Sequence, residues 1–242
     1  MAGEVSDLQA VLFDMDGVLV ISNPLHFRAW QDFGRQIGLV VTEEMFYREF
    51  SGRKNEEALE ALFPGRFTAE ERAELSRRKE ALFRERYVPL LLPVPGVREL
   101  VADLNRHAVP LALATSGPPE NVQAILRHLK LEGAFDVVVT GQDVTAAKPD
   151  PAIFRIAAER LGVPCEQALV IEDSIAGVQA ACAAGAVCLG VSTSEPPSRL
   201  EEVGAVHVVA DFLGMKTDTL RAIYHEARDR LLPDRPTQTG PS

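Results

Sequence analysis

Six short apolar runs constrain this chain more than any other feature: "LQAVLF", "PLALAT", "DVVVT", "ALVIE", "AVCLGV" and "VHVVA". From Pro95 onward they alternate with helical patterns, and that alternation is the signature of a parallel sheet covered by helices on both faces. The expected fold class is therefore α/β, a doubly wound, Rossmann-like parallel sheet. Punctuation marks several of the helices. Asp150-Pro151 reads as an N-cap followed by proline, with Gly162 as the stop, and Asn23-Pro24 does the same for a helix ending near Gly38.

One interval breaks the rhythm. Between the strand ending near Phe13 and the next, starting near Pro110, lie roughly ninety residues, where a crossover needs only about a dozen. Most of the interval reads helical, and Thr68 to Glu71 is a capping box opening a charged helix that runs to about Tyr87. The excess predicts an inserted all-helical cap domain over 22–92, with "LPVPG" (Leu92 to Gly96) as its return hinge. The core is then 1–21 with 93–232, and the tail, 233–242, is expected to be disordered because it has almost nothing to bury. An insert that leaves and rejoins at this point is placed to act as a lid.

In parallel α/β sheets, ligands bind outside the carboxyl ends of the strands. The first strand delivers Asp14 and Asp16, with Gly17 permitting the turn that follows, and the second delivers Thr115 and Ser116. The loop after the third carries Lys148, and the fourth delivers Glu172 and Asp173. Taken one at a time these residues have bland readings: turn and cap aspartates, a strand-terminating threonine, a solvated loop lysine. Together they bring four carboxylates to one edge, where they would repel one another unless a hard cation sat among them. Few carboxylates, with waters and a ligand phosphate, suit Mg²⁺. The metal and Lys148 would cradle a phosphoryl group while Thr115 donates a hydrogen bond to it. One aspartate could then attack phosphorus while its neighbour two residues on carries a proton.

Charge and composition narrow the partners. A formal net charge of −10 argues against nucleic acid, and no apolar run reaches membrane-spanning length. "MAGEVSDLQ" lacks the character of a signal peptide, and three cysteines without metal spacing suggest the cytoplasm. Cys182, in an alanine-rich run, and Cys188, in a strand-like run, read as small core residues.

"DMDGV", the Thr115-Ser116 pair, "KPDP" and "EDSIAGVQAACAAG" closely resemble the four ordered motifs of the haloacid dehalogenase superfamily. The helical insert resembles the type-one cap of its β-phosphoglucomutase-like branch, and the likeness runs from about residue 8 to 215. The resemblance implies Asp14 as nucleophile and Asp16 as general acid/base. It also implies a Mg²⁺ site made by Asp14, the Asp16 carbonyl and Asp173, with Glu172 in or beside it. In the cap, His26 matches a histidine that links closure to the acid/base, Lys79 a lysine facing substrate, and Ser22 a hinge hydroxyl. Two positions depart from the pattern. Asn55 stands where the mutase has an arginine for the distal phosphate, with Arg53 and Lys54 as possible substitutes out of register, and Ile21 replaces a usual aspartate.

Each cap residue also has a plain alternative. His26 is a packing residue between cap and core, Lys79 lies on a charge-rich helix whose face reads as solvated, Asn55 caps the helix "EEALEALF", and Trp30 and Phe27 are core. The combined expectation is a monomeric Mg²⁺-dependent phosphatase of a small phosphorylated metabolite, such as a sugar phosphate. The alternatives are a phosphohexomutase and, last, a non-catalytic binder of phosphometabolites.

Overall fold

The computed structural model of the chain describes residues 7–50 and 54–231. All six apolar runs are strands: β1 (Ala10–Phe13), β4 (Leu111–Ala114), β5 (Val137–Val139), β6 (Ala168–Glu172), β7 (Val187–Val191) and β8 (His207–Val209). They form one sheet in the order β5-β4-β1-β6-β7-β8, and every pairing is parallel. Two further strands were not anticipated. β2 (Val20–Ile21) and β3 (Leu92–Pro93) pair antiparallel where the chain leaves and re-enters the core, so the hinge is a two-stranded clasp.

Among the described residues, four α-helices and a short 3-10 turn (Val88–Leu90) fill the interval between the two halves of that clasp. The helices are α1 (Asn23–Ile37), α2 (Glu43–Met45, continuing as a π-helical turn over Phe46–Phe50), α3 (Asn55–Leu62) and α4 (Ala69–Arg86). The core adds α5 (Val97–Arg106), α6 (Pro119–Leu129), α7 (Ala152–Leu161), α8 (Ile175–Ala184), α9 (Pro197–Glu202) and α10 (Thr217–Leu231). Among the described residues no helix is long and apolar enough to cross a membrane.

The inner strands β4, β1, β6 and β7 read as unbroken apolar runs because each is buried on both faces, while the edge strands β5 and β8 are partly exposed. Odd positions such as Val11, Phe13, Leu111, Leu113, Leu169 and Ile171 enter one apolar layer. Even positions such as Ala10, Leu12, Ala112, Ala114, Ala168 and Val170 enter the other, beneath Ile153, Phe154 and Val178. This is the two-residue period of a pleated sheet. The helical insert has a core of its own around Trp30, Phe33, Phe46, Phe50, Leu59 and Leu75, with Phe27 packed against it.

Several local expectations shift. The Thr68 capping box forms in full, and Gly38 and Gly162 end their helices in the left-handed conformation. Asn23 does not cap α1: Ser22 holds the cap position without a side-chain bond, while Asn23 donates to Ser194 Oγ at 2.8 Å. Pro151, not Asp150, holds the cap position of α7, yet Asp150 Oδ1 still accepts from the Ala152 amide at 2.9 Å. Lys54 precedes α3, leaving Asn55 free of capping duty. Cys182 is exposed, because α8 turns it outward, while Cys165 and Cys188 are buried. The tail 233–242, expected to be disordered, lies outside the described residues, as does Arg53.

Phe33 is 1 % exposed in the insert's core, its ring edge-on to Trp30 at 6.1 Å. Phe33→Ala should cost about 3–5 kcal/mol, as for other buried aromatic truncations. Urea melts followed by circular dichroism and by the fluorescence of Trp30, the single tryptophan, should show the insert loosening before the sheet.

Candidate active site

Asp14 immediately follows β1, Thr115 follows β4 and Asp173 follows β6, so three adjacent strands end at one edge of the sheet. Lys148 reaches that edge from the loop between β5 and α7. Its ammonium donates to Asp14 Oδ1 and to Glu172 Oε1, each at 2.6 Å, and to the Ala114 carbonyl at 3.3 Å. The bland reading of Lys148 as a solvated loop residue fails, since its side chain is 5 % exposed. Glu172 turns its other oxygen to the amides of Asp173 and Ser174 and to the Ser174 hydroxyl, at 2.9–3.0 Å. Both its oxygens therefore serve to fix the lysine and the turn.

Two glycines make room for these carboxylates. A Cβ on Gly17, which has φ +77°, would sit 1.8 Å from Asp173 Oδ2, and one on Gly177 would sit 1.8 Å from Glu172 Oε1. Asp173 is held further by Ser194 Oγ and by Thr193 Oγ1, the latter also donating to the Gly17 carbonyl at 2.6 Å. Sequence reasoning missed Thr193 and Ser194, although they follow the end of β7 and the strand-end rule reaches them. Gly177, the last residue of "DSIAG", gave no signal separable from an ordinary helical glycine.

The charges are out of balance. Asp14, Glu172 and Asp173 are buried beside a single ammonium. Burial pushes the Asp14 carboxyl up to about 7, with Glu172 and Asp16 adding repulsion and Lys148 opposing. Burial, then Glu172 and Asp14, pushes Asp173 well above the usual carboxylate range. Lys148 is held above its ordinary value by Asp14 and Glu172, in spite of burial. Such a surplus of hard anionic oxygen suits a divalent cation. Among the described residues no three metal-ligating side chains form a shell by themselves. A cation here would draw on Asp14 and Asp173, completed by backbone, water and ligand oxygens.

Thr115 is buried and accepts from the Gly117 amide at 3.0 Å, leaving its hydroxyl proton for a ligand. Ser116 lies beside it in the wall of a cleft of about 1360 Å³ that also touches Asp14, Asp16, Lys148, Glu172 and Asp173. The helical insert forms the facing wall through His26, Lys54, Asn55, Lys79 and Glu80.

From that wall, His26 points Nε2 at Asp16 Oδ1 across 3.5 Å. That oxygen and the neighbouring Ser22 Oγ have no hydrogen-bond partner among the described residues. Burial alone would raise the Asp16 carboxyl; the His26 imidazole and the Ser22 hydroxyl beside it outweigh burial and hold the group below the usual range. Lys79 is not solvated: it is 1 % exposed, 2.7 Å from His26 Nδ1 and 2.8 Å from Glu80 Oε1. Asn55 donates to Glu80 Oε1 at 2.7 Å and to Ser76 Oγ at 3.3 Å instead of capping its helix. Ile21 sits in the clasp, 38 % exposed.

Known proteins resemble this chain in sequence and fold. Residues 8–185 match the haloacid dehalogenase-like hydrolase family. A phosphorylated carbohydrates phosphatase of Thermotoga maritima is 38% identical over 178 residues, covering 74% of this chain and 82% of that protein. A β-phosphoglucomutase of Bacillus subtilis is 33% identical over 197 residues, covering 78% and 85%. Among solved structures, a family IA hydrolase of the same class from Entamoeba histolytica superposes with a TM-score of 0.81 at 26% identity, covering 90% of this chain and 99% of that one.

Two measurements probe the site. Gly17→Ala should cost about 1–3 kcal/mol from the left-handed backbone alone, and should cut activity by displacing Asp173; thermal melts and turnover check both. The sign for Asp14 follows from its raised value. The folded protein holds a proton on Asp14 up to about pH 7, whereas the unfolded chain releases it near 3.9, so ionised Asp14 destabilises the cation-free fold at higher pH. In EDTA at pH 8, Asp14→Asn should melt higher than the wild-type chain, and the gain should fade as pH falls from 7 toward 4.

Proposed function

The chain belongs to the haloacid dehalogenase-like hydrolases, and from that premise we propose that it hydrolyses a small phosphorylated carbohydrate or similar phosphomonoester. One observation carries the reading: the Lys148 ammonium, bridging Asp14 and Glu172 at 2.6 Å each, stands with Asp14 on the floor of a roofed polar cleft. A phosphoryl group placed there meets a fixed positive charge, the Thr115 hydroxyl and an aspartate aimed at phosphorus. A hard divalent cation such as Mg²⁺, held by Asp14 and Asp173, supplies further positive charge for the phosphoryl oxygens when bound.

In this reading Asp14 forms a bond to phosphorus as the bond to the leaving oxygen breaks, giving an aspartyl-phosphate. Asp16 gives its proton to the leaving oxygen. The arriving phosphate dianion helps, because negative charge beside Asp16 raises the carboxyl toward its protonated form. Asp16 then takes a proton back from the water that attacks phosphorus and frees Asp14. Positioning and electrostatics dominate such transfers, which is why rigid strand ends suit them.

Hydrolysis is favoured over phosphohexose mutation by Asn55. A mutase must grip a bisphosphate at both ends, and the resemblance puts its distal arginine at this position. Here the Asn55 amide is committed to Glu80 and Ser76, and it carries no charge. The cleft's volume of about 1360 Å³ leaves room for a leaving group the size of a sugar.

Phosphate release from a panel of hexose, pentose and polyol phosphates, with Mg²⁺ and with EDTA, tests the proposal. Turnover with the metal, and a loss of at least about 10³-fold in Asp14→Asn without loss of fold, is the expected result. Bisphosphate-dependent interconversion of hexose 1- and 6-phosphates faster than hydrolysis would favour the mutase. Turnover unaffected by EDTA would refute the metal's part.

A further inference from the structure

Glu80 takes no part in the chemistry above, yet it is the most heavily bonded side chain of the lid wall. It is 6 % exposed. Oε1 accepts from Lys79 Nζ at 2.8 Å and from Asn55 Nδ2 at 2.7 Å, while Oε2 accepts from Asn121 Nδ2 at 2.6 Å. Asn121 belongs to α6, the core helix that follows Thr115, and its own oxygen accepts from Arg84 Nη1 of α4 at 2.9 Å. One carboxylate thus joins two lid helices, α3 and α4, to the core.

The chain of contacts continues inward. Lys79 is enclosed by rings, its ammonium 5.5 Å from the centre of Trp30 and 5.3 Å from that of Phe83. A lysine buried in such a cage keeps its charge only beside a counter-charge, and Glu80 supplies it. An ammonium has no lone pair, so in its 2.7 Å contact with His26 it must donate and Nδ1 must accept. The neutral ring then carries its proton on Nε2, the nitrogen facing Asp16 Oδ1. Phe83 stacks on the imidazole at 3.7 Å, 9° from parallel, and fixes its plane.

We infer that Glu80 is a positioning residue for the acid–base chemistry at Asp16: it seats the lid on Asn121 and, through Lys79, fixes the tautomer of His26. Without the Glu80 carboxylate, Lys79 swings out and Nδ1 loses its donor, or Lys79 gives up its proton and gains a lone pair that can accept from Nδ1–H; either way the imidazole is no longer held with its N–H toward Asp16. The strength of the Lys79 and Asn121 contacts agrees with a Glu80 carboxyl held at about 2 against the opposing effect of burial. Glutamine is not a substitute. Its amide meets the Asn121 amide donor to donor, and flipping Asn121 to cure this would turn its NH₂ group on Arg84.

The inference rests on the hydrolase reading, and the leaving group supplies the test. An alkyl phosphate needs its leaving oxygen protonated; p-nitrophenyl phosphate, which releases a weakly basic phenolate, does not. In the full-length chain, Glu80→Gln should lower kcat for the best sugar phosphate of the panel by at least about tenfold more than kcat for p-nitrophenyl phosphate. That is part of the roughly 10²–10⁴-fold that a positioned general acid contributes. Equal losses on the two esters would mark Glu80 as merely structural and overturn the inference.

A second readout does not need turnover. In ¹⁵N-histidine-labelled protein, His26 (assigned against His26→Gln) should show a protonated Nε2 and an acceptor Nδ1, and Glu80→Gln should abolish that preference. Unchanged His26 shifts in the variant would also overturn the inference. If the wild-type chain cleaves neither ester, the hydrolase reading falls while the nitrogen shifts still decide the role of Glu80. Should Glu80→Gln fail to fold by circular dichroism, Asn121→Ala, which removes the donor to Oε2 and the acceptor of Arg84 Nη1 but leaves Glu80 and Lys79 in place, is judged by the same two criteria.

Discussion

A single buried ammonium among three buried carboxylates governs this structure. Lys148 bridges Asp14 and Glu172, and Asp173 stands beside them with no cationic side chain of its own among the described residues. Like charges this close are costly in a medium that water cannot reach. The fold meets the cost by supplying many fixed donors: backbone amides to Glu172, two hydroxyls to Asp173, and glycines where a methyl group would displace a carboxylate. The remaining negative charge suits the divalent cation that the proposed function calls for.

The parallel sheet is what makes such a gathering possible. Residues distant in sequence, Asp14, Thr115 and Glu172, end neighbouring strands and so lie side by side without any loop having to search for them. The lid enters immediately after the same turn, through the clasp of β2 and β3. Its polar wall then runs from Asn121 through Glu80, Lys79 and His26 to Asp16. A lid displaced from the core would break this run at Asn121 and at Asp16 together, so in the proposed mechanism the proton chemistry and the closing of the cleft depend on the same few contacts.

Legibility in the sequence followed the physics. The four inner strands could be read because burial on both faces removes polar residues from them, and Gly38 and Gly162 because a left-handed helix end favours glycine. The clasp was missed because two-residue strands carry no periodicity. Asn23, Asp150 and Asn55 were each assigned a capping role by type, but cap position depends on backbone angles that one residue's shift can alter. Asn23 and Asn55 instead serve partners far along the chain, Ser194 and Glu80.

By itself the sequence determined the sheet, the lid's place in the chain and the residues at the strand ends, because these follow from local patterning and from a rule about where parallel strands finish. Tertiary structure alone decided which polar groups in the lid are solvated and which are joined. Lys79 and Glu80 sit on a helix dense with charge and look like surface residues in the sequence. Only the packing of α4 against α1, α3 and α6 removes water from them, and once water is gone each must find its partner in the protein.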